Sequence, residues 1–213
     1  MNVHRNLIRR AVAPFALALA VGTSSAYAAP LTPAAYAVAL SHVRIDNFGK
    51  IDDHYYRGAQ PDGSDYADLA ALGVRTVIDL TRDGRANERE RVEQQGMTFF
   101  RIPLTTSERP ADAAVKQFLS IVDDPAREPV YVHCQGGQHR TGVMTAVYRM
   151  TKYGWTEDQA YQEMKRYKFE TFWGHPELRK FVHDYYEKLT PVASPVVADA
   201  ALPAVDVTRP AAN

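Results

Sequence analysis

The sequence predicts an α/β fold: a small mixed central sheet flanked by helices on both faces. Three observations carry it. Short β-branched and aromatic runs, Val74 to Leu80, Met97 to Leu104 and Val130 to Val132, read as buried strands. The stretches between them read as helices, either charged or with apolar residues spaced for one face. Beyond Cys134 three helical stretches follow one another. A sheet of this kind places its site at the carboxyl ends of its strands, here the end of Val130–Val132.

Residues 1–28 read as a cleaved secretory signal peptide. Arg5, Arg9 and Arg10 precede the uncharged run Ala11 to Val21, which is too short to span a bilayer comfortably. Ala26-Tyr27-Ala28 then supplies the small residues of a cleavage site. The expected location is periplasmic or secreted, with an uncleaved anchor as the alternative. Cleavage removes three of the 25 basic residues and none of the 25 acidic ones, so 22 stand against 25 in a chain of 185 residues. Without a basic excess, nucleic acid and anionic membrane surfaces are not expected partners. The single cysteine excludes an internal disulfide.

Residues 29–42 read as an N-terminal arm or irregular helix, and residues 43–190 as one catalytic domain. Tyr55-Tyr56-Arg57 has strand character and Gln60-Pro61-Asp62-Gly63 is a turn. Ser64 is expected to cap a two-turn helix, Asp65 to Leu72, stopped by Gly73. Val74 to Leu80 follows as a strand. The charged block Thr81 to Gln95 reads largely as a solvated helix, before the strand Met97 to Leu104. Asp112 is expected to cap a helix to about Val122, with Val115, Phe118, Leu119 and Val122 on one face. Gly154 ends the helix after Cys134, Thr156 caps the next to about Tyr167, and Pro176 to Leu189 forms the last. Residues 191–213 hold four prolines, many alanines and no aromatic residue, and read as a disordered tail.

The chemistry concentrates in Val130-Tyr131-Val132-His133-Cys134-Gln135-Gly136-Gly137-Gln138-His139-Arg140-Thr141-Gly142. Gly136 and Gly137 let the backbone curl so that several N–H groups point at one spot. The helix that follows, with Val143, Met144, Ala146, Val147 and Met150, adds the positive end of its dipole. Cys134 opens this loop and Arg140 closes it, a spacing that suits a tetrahedral oxyanion. A helix N-terminus and a nearby cation favour a thiolate nucleophile. The Arg140 guanidinium can donate two parallel hydrogen bonds to phosphate oxygens. Thr141 is placed to donate its hydroxyl to the sulfur, stabilising it as a leaving group.

This stretch resembles the signature of the cysteine-dependent protein tyrosine phosphatase superfamily: histidine, cysteine, five residues, arginine, threonine or serine, glycine. Tyr56-Arg57-Gly58-Ala59-Gln60-Pro61 and Leu72 to Leu80 are similar to the front half of compact bacterial dual-specificity phosphatases. The resemblance runs from about Val43 to Tyr186. It implies a dual-specificity phosphatase-like fold and hydrolysis of phosphomonoesters through a phospho-cysteine, with a phosphorylated protein or small phosphoester as substrate. Phosphotyrosine, alone or with phosphoserine and phosphothreonine, is the family's usual substrate class. Inositol pyrophosphates are the alternative, because the Gly-x-His-Arg-Thr-Gly ending resembles atypical members acting on them. A sulfurtransferase and a phosphate-binding module without turnover are the further rivals, and Arg140-Thr141-Gly142 favours phosphate.

The resemblance assigns His133 to supporting the loop, and Gln135, Gly136, Gly137, Gln138, His139 and Arg140 to holding phosphate. The family's acid is an aspartate on a separate loop. Here the loop after Pro103 offers Glu108, the first candidate by position, followed by Asp112 and Asp83. Arg57 could touch substrate, but tying the first strand to a neighbouring loop accounts for it better. Tyr167 to Trp173 could wall an aromatic substrate or simply pack. No two histidines sit at metal-ligand spacing, so neither a metal nor a cofactor is expected.

Overall fold

A computed structural model describes residues 31–169 and 175–190. The proposed signal peptide, the Pro/Ala-rich tail and Glu170 to Trp173 lie outside the described residues. Among the described residues no helix is long and apolar enough to cross a membrane.

The elements in order are α1 (Pro33–His42), β1 (Gly49–Lys50), β2 (Tyr55–Gly58), α2 (Asp65–Ala71), β3 (Thr76–Thr81), α3 (Glu88–Gln94), β4 (Thr98–Leu104), α4 (Asp112–Val122), β5 (Val130–His133), α5 (His139–Tyr153), α6 (Glu157–Arg166) and α7 (Pro176–Leu189). The five strands form one sheet in the order β1-β2-β5-β3-β4. Only the β1–β2 pair is antiparallel, and β5 lies at the centre with Val132 opposite both Arg57 and Ile78.

Alternation along the strands builds two cores. Tyr55, Ile78, Leu80, Val130 and Val132 face one, packed with side chains of α4 to α7. Tyr56, Val77, Phe99 and Tyr131 face the other, with Tyr66, Leu69 and Val92. Helices therefore cover both faces, as expected. The chain crosses from β2 to β3 and from β3 to β4 over the second core, then returns to β5 through α4 on the first. The loops after β3 and β5 thus leave neighbouring parallel strands toward opposite faces. Such a reversal opens a crevice at the strands' carboxyl ends.

Several local expectations need correction. The Thr81–Gln95 block is helical only from Glu88, and Glu88 is fully buried rather than solvated. Its first residues serve as the loop after β3 instead. Asp112 is not the cap of α4: Ala111 holds that position, and exposed Asp112 sits in the first turn, 3.4 Å from Lys188 Nζ. Ser64 makes no capping bond with its side chain; the Asp65 carboxylate accepts from Asp62 N at 2.8 Å and shapes the turn. The Gly154 and Thr156 signals hold. Gly154 ends α5 in the left-handed region (φ 63), and Thr156 and Gln159 form a reciprocal capping box.

Candidate active site

The Cys134 loop begins where β5 stops, at His133, and closes sooner than the sequence suggests. α5 starts at His139, three residues before Gly142, with Gly142 N donating to Gln138 O at 3.1 Å. Arg140 and Thr141 therefore lie in the first helical turn, whose N–H groups have no partner within the helix. Cys134 is 3% exposed, Arg140 is half-buried, and Gln135 and Gly136 are exposed.

A cleft of about 720 Å³ opens over the carboxyl ends of all four parallel strands. Its wall comes from Ala59 and Gln60 after β2, Thr81 to Arg85 after β3, Leu104 to Ser107 at the end of β4, and Gln135 and Arg140 after β5. Arg140 Nη1 donates to Leu104 O at 3.4 Å, which ties the signature arginine to the end of β4. The lining carries four guanidiniums, of Arg44, Arg82, Arg85 and Arg140, against three carboxylates, of Asp46, Asp65 and Asp83. Apart from one excess positive charge, the wall is balanced.

The acid candidates separate on this wall. Asp83 lines it, 3.1 Å from Arg82 Nε. Glu108 is exposed and does not line it; its carboxylate accepts from Thr105 Oγ1 in its own loop at 3.4 Å. Asp112 is also off the cleft, on α4. Among the described residues the buried Thr141 Oγ1 has no hydrogen-bond partner, so the expected bond to the Cys134 sulfur is not made in this structure.

Behind the loop, His133 is fully buried beside two fully buried carboxylates. Its Nε2 lies 3.1 Å from Glu88 Oε1, and its Nδ1 4.0 Å from Asp79 Oδ1. Gln60 Nε2 donates to Glu88, and Arg101 Nε donates to Asp79 Oδ2 at 2.8 Å. Asp79, Glu88 and His133 could each offer a metal one atom within 4.8 Å of the others. The Arg101 guanidinium supplies positive charge to the same carboxylates, so the group stands as an ion-pair network bracing His133.

The sequence reading missed this network, although a charge inside each apolar strand run, Asp79 in Val-Ile-Asp-Leu and Arg101 in Phe-Phe-Arg-Ile, was a usable signal. It also missed His175, whose ring stands 4.1 Å from that of His139 and whose Nδ1 is 2.8 Å from Thr106 O. Burial, with His175 and Arg140 beside it, lowers the His139 pKa to about 4. Phe169 packs on the His139 ring at 5.4 Å, and Tyr167 lies under Arg57, so the described part of the expected aromatic wall packs around the loop.

Residues 36–179 match a family described as a DSP-PTPase phosphatase fused to NAD+ kinase. The chain belongs to this phosphatase family. The dual specificity protein phosphatase TpbA of Pseudomonas aeruginosa strain UCBPP-PA14 is 35% identical over 121 residues, 56% of this chain and 54% of that protein. Inositol diphosphatase DSP1 of Oryza sativa subsp. japonica is 28% identical, over 57% of this chain and 56% of that protein. The chain spans about half the length of these curated relatives. Crystal structures resemble it as well. P. aeruginosa TpbA in complex with pTyr covers 75% of this chain and 90% of its own, with 26% identity and a TM-score of 0.56. The catalytic domain of the PP-IP phosphatase SIW14 from S. cerevisiae gives a TM-score of 0.61 at 19% identity, covering 71% and 93%, a likeness of fold alone.

Proposed function

We propose that this chain is an exported phosphatase, periplasmic or secreted, acting on phosphotyrosine and also on phosphoserine and phosphothreonine in proteins. The observation that carries the reading is the pairing of Cys134 and Arg140 at the two ends of one loop, beside a wide cleft of nearly balanced charge. A phosphorylated side chain on a protein brings one dianion and mixed neighbours. Such a wall suits it better than a ring bearing many phosphates, and the TpbA complex with pTyr is consistent with it.

In the first step the Cys134 thiolate attacks phosphorus in line: the S–P bond forms, the P–O bond to the leaving group breaks, and the leaving oxygen takes a proton. Arg140 and the loop N–H groups hold the three equatorial oxygens as charge spreads over them. Water then attacks phosphorus, the S–P bond breaks and phosphate departs. Asp83 replaces Glu108 as the leading proton donor because it borders the cleft. Glu108 would have to move to reach it.

The test is hydrolysis of a small aryl phosphate by residues 29–213, under reductant and without metal, beside Cys134→Ser. Vanadate-sensitive turnover that the serine variant lacks is expected; equal turnover in both would overturn the cysteine chemistry. Phosphotyrosyl peptides should then be preferred over inositol phosphates. The reverse preference would favour the second reading, an inositol pyrophosphate phosphatase, which the four arginines of the cleft and the DSP1 relationship support. Export is tested by N-terminal sequencing of protein recovered outside the cytoplasm, with Ala29 expected first.

A further inference from the structure

The outer face of the Cys134 loop is held by three donors, all supplied by the segment around β1 and β2. Gln60 N donates to Gln135 O at 3.2 Å, and Asn47 Nδ2 donates to Gly136 O at 2.6 Å. Arg57 Nη2 donates to Gly137 O. Three consecutive carbonyls are thus taken from outside the loop. In a trans peptide the carbonyl and the next N–H point in opposite directions. Fixing the carbonyls of Gln135, Gly136 and Gly137 therefore aims the N–H groups of Gly136, Gly137 and Gln138 the other way. Among the described residues, no backbone or side-chain acceptor takes those three N–H groups.

The two side-chain donors are themselves held in place. Asn47 sits in the left-handed region (φ 52), where asparagine is one of the few tolerated residues. Arg57 is fully buried, with its guanidinium carbon 3.9 Å from the centroid of the Tyr167 ring, and among the described residues its Nε and Nη1 have no hydrogen-bond partner. The strand end that carries Arg57 is pinned in turn: Ala59 N donates to Asp46 O at 2.8 Å, and Tyr131 OH donates to Ala59 O at 2.6 Å.

We infer that Asn47 and Arg57 are positioning residues that aim two of these three consecutive loop amides, those of Gly137 and Gln138, at the transferring phosphoryl group. The inference rests on the phosphatase reading of the Cys134 loop and gives the Tyr-Arg-Gly-Ala-Gln-Pro motif its task. Neither side chain touches substrate. Each acts through one peptide plane, so its loss weakens the grip on the transition state more than the first encounter with substrate.

The experiment compares Asn47→Ala, Arg57→Lys and Arg57→Met with the wild type in kcat and KM on a small aryl phosphate, in vanadate affinity, in tungstate affinity by calorimetry, and in melting temperature. Removing an oxyanion donor outright costs about 10²–10³-fold. Misaiming one should cost about 10–100-fold in kcat, with KM nearly unchanged and vanadate affinity falling by a similar factor. Asn47→Ala keeps the inference testable if Arg57→Met does not fold. Wild-type kcat and vanadate affinity in Asn47→Ala and Arg57→Lys would overturn it. So would a fall in kcat without a fall in vanadate affinity. A wild type that binds tungstate but hydrolyses no phosphoester would sink the function above, leaving the loop geometry to be judged on tungstate affinity alone. A wild type that binds neither anion would overturn both.

Discussion

Gly137 is where a single methyl group should do the most damage. Its φ is +64, and a Cβ built there would stand 2.5 Å from Gly58 O and 2.7 Å from Ala59 N. Both are backbone atoms of a segment pinned by Tyr131 and Asp46, so nothing flexible can give way. Left-handed backbone costs a non-glycine residue about 1–2 kcal/mol, and overpacking adds roughly 1–3 kcal/mol. For Gly137→Ala the total is about 2–5 kcal/mol, which in a chain of this size lowers the melting temperature by about 4–20 °C. Gly154→Ala supplies the control. It shares the positive φ (63), lies at the far end of α5, and among the described residues a Cβ there meets nothing within 4 Å, so only the backbone cost of about 1–2 kcal/mol applies.

Activity separates the two variants more sharply. To restore ordinary contact the loop of Gly137→Ala must move by about 1 Å, and a misplacement of that size costs on the order of 10²-fold in rate. Gly154→Ala should keep its rate within about twofold, because its cost is paid far from the cleft. Thermal melts and kcat/KM on an aryl phosphate read both effects. If Gly137→Ala matches Gly154→Ala in melting temperature and stays within about threefold of wild-type activity, the claim that the loop rests on the Gly58 backbone is wrong.

Four other substitutions probe separate parts of the site. The unfolded His139 ring takes up a proton near pH 6.5, whereas the folded one waits until about pH 4. The unfolded chain therefore binds the extra proton between those values, so stability falls as pH drops from 6.5 to 4 and is indifferent to this group above 6.5. His139→Asn should flatten that part of the pH–stability curve, measured by urea midpoints. Glu88→Ala breaks a buried ionic network and should cost about 3–5 kcal/mol in urea unfolding; a cost within about 1 kcal/mol would mean Glu88 is solvated after all. On an alkyl phosphate, Asp83→Asn should lose about 10²-fold in kcat and Glu108→Gln little, since a placed acid is worth about 10²–10⁴-fold. The opposite ranking would return the acid's role to Glu108.

What could be read from the chain follows from how far each cause reaches along it. Gly154, Thr156 and Pro176 act on their own helix ends, and the structure places all three as the local signals require. Val130 to His133 forms a strand and the next residues a loop because β-branched residues and glycines decide that locally. Glu88 could not be read that way. Its neighbours in sequence are charged and exposed, and only the folded chain brings His133, Gln60, Tyr66 and Arg101 around it. Asp112 failed for a related reason: a helix start one residue off changes a cap into a first-turn carboxylate, and Ala111 leaves no side-chain signal of its own. Asn47 sits 89 residues from the carbonyl it holds, so nothing near it in sequence marks it.

Arg101 and Arg57 show how one chemical group serves two tasks in this fold. Arg101 meets Asp79 at 2.8 Å and Glu88 at 3.7 Å, so two carboxylates offset its charge and its work is to brace His133. Arg57 is more deeply buried, and among the described residues no carboxylate pairs with it. Its charge meets a carbonyl oxygen and the face of Tyr167. An interior cation offset so weakly costs folding free energy, and burial accordingly depresses the Arg57 pKa. That cost falls when an anion arrives nearby, whether the Cys134 thiolate or a phosphoryl group in the loop. On the phosphatase reading, the Cys134 thiolate and then a phosphoryl group in the loop supply counter-charge that no described carboxylate gives Arg57. On that reading the Arg57 charge favours the loop most where anionic charge in it is greatest, in the transition state, and so acts in the same direction as the amide it aims.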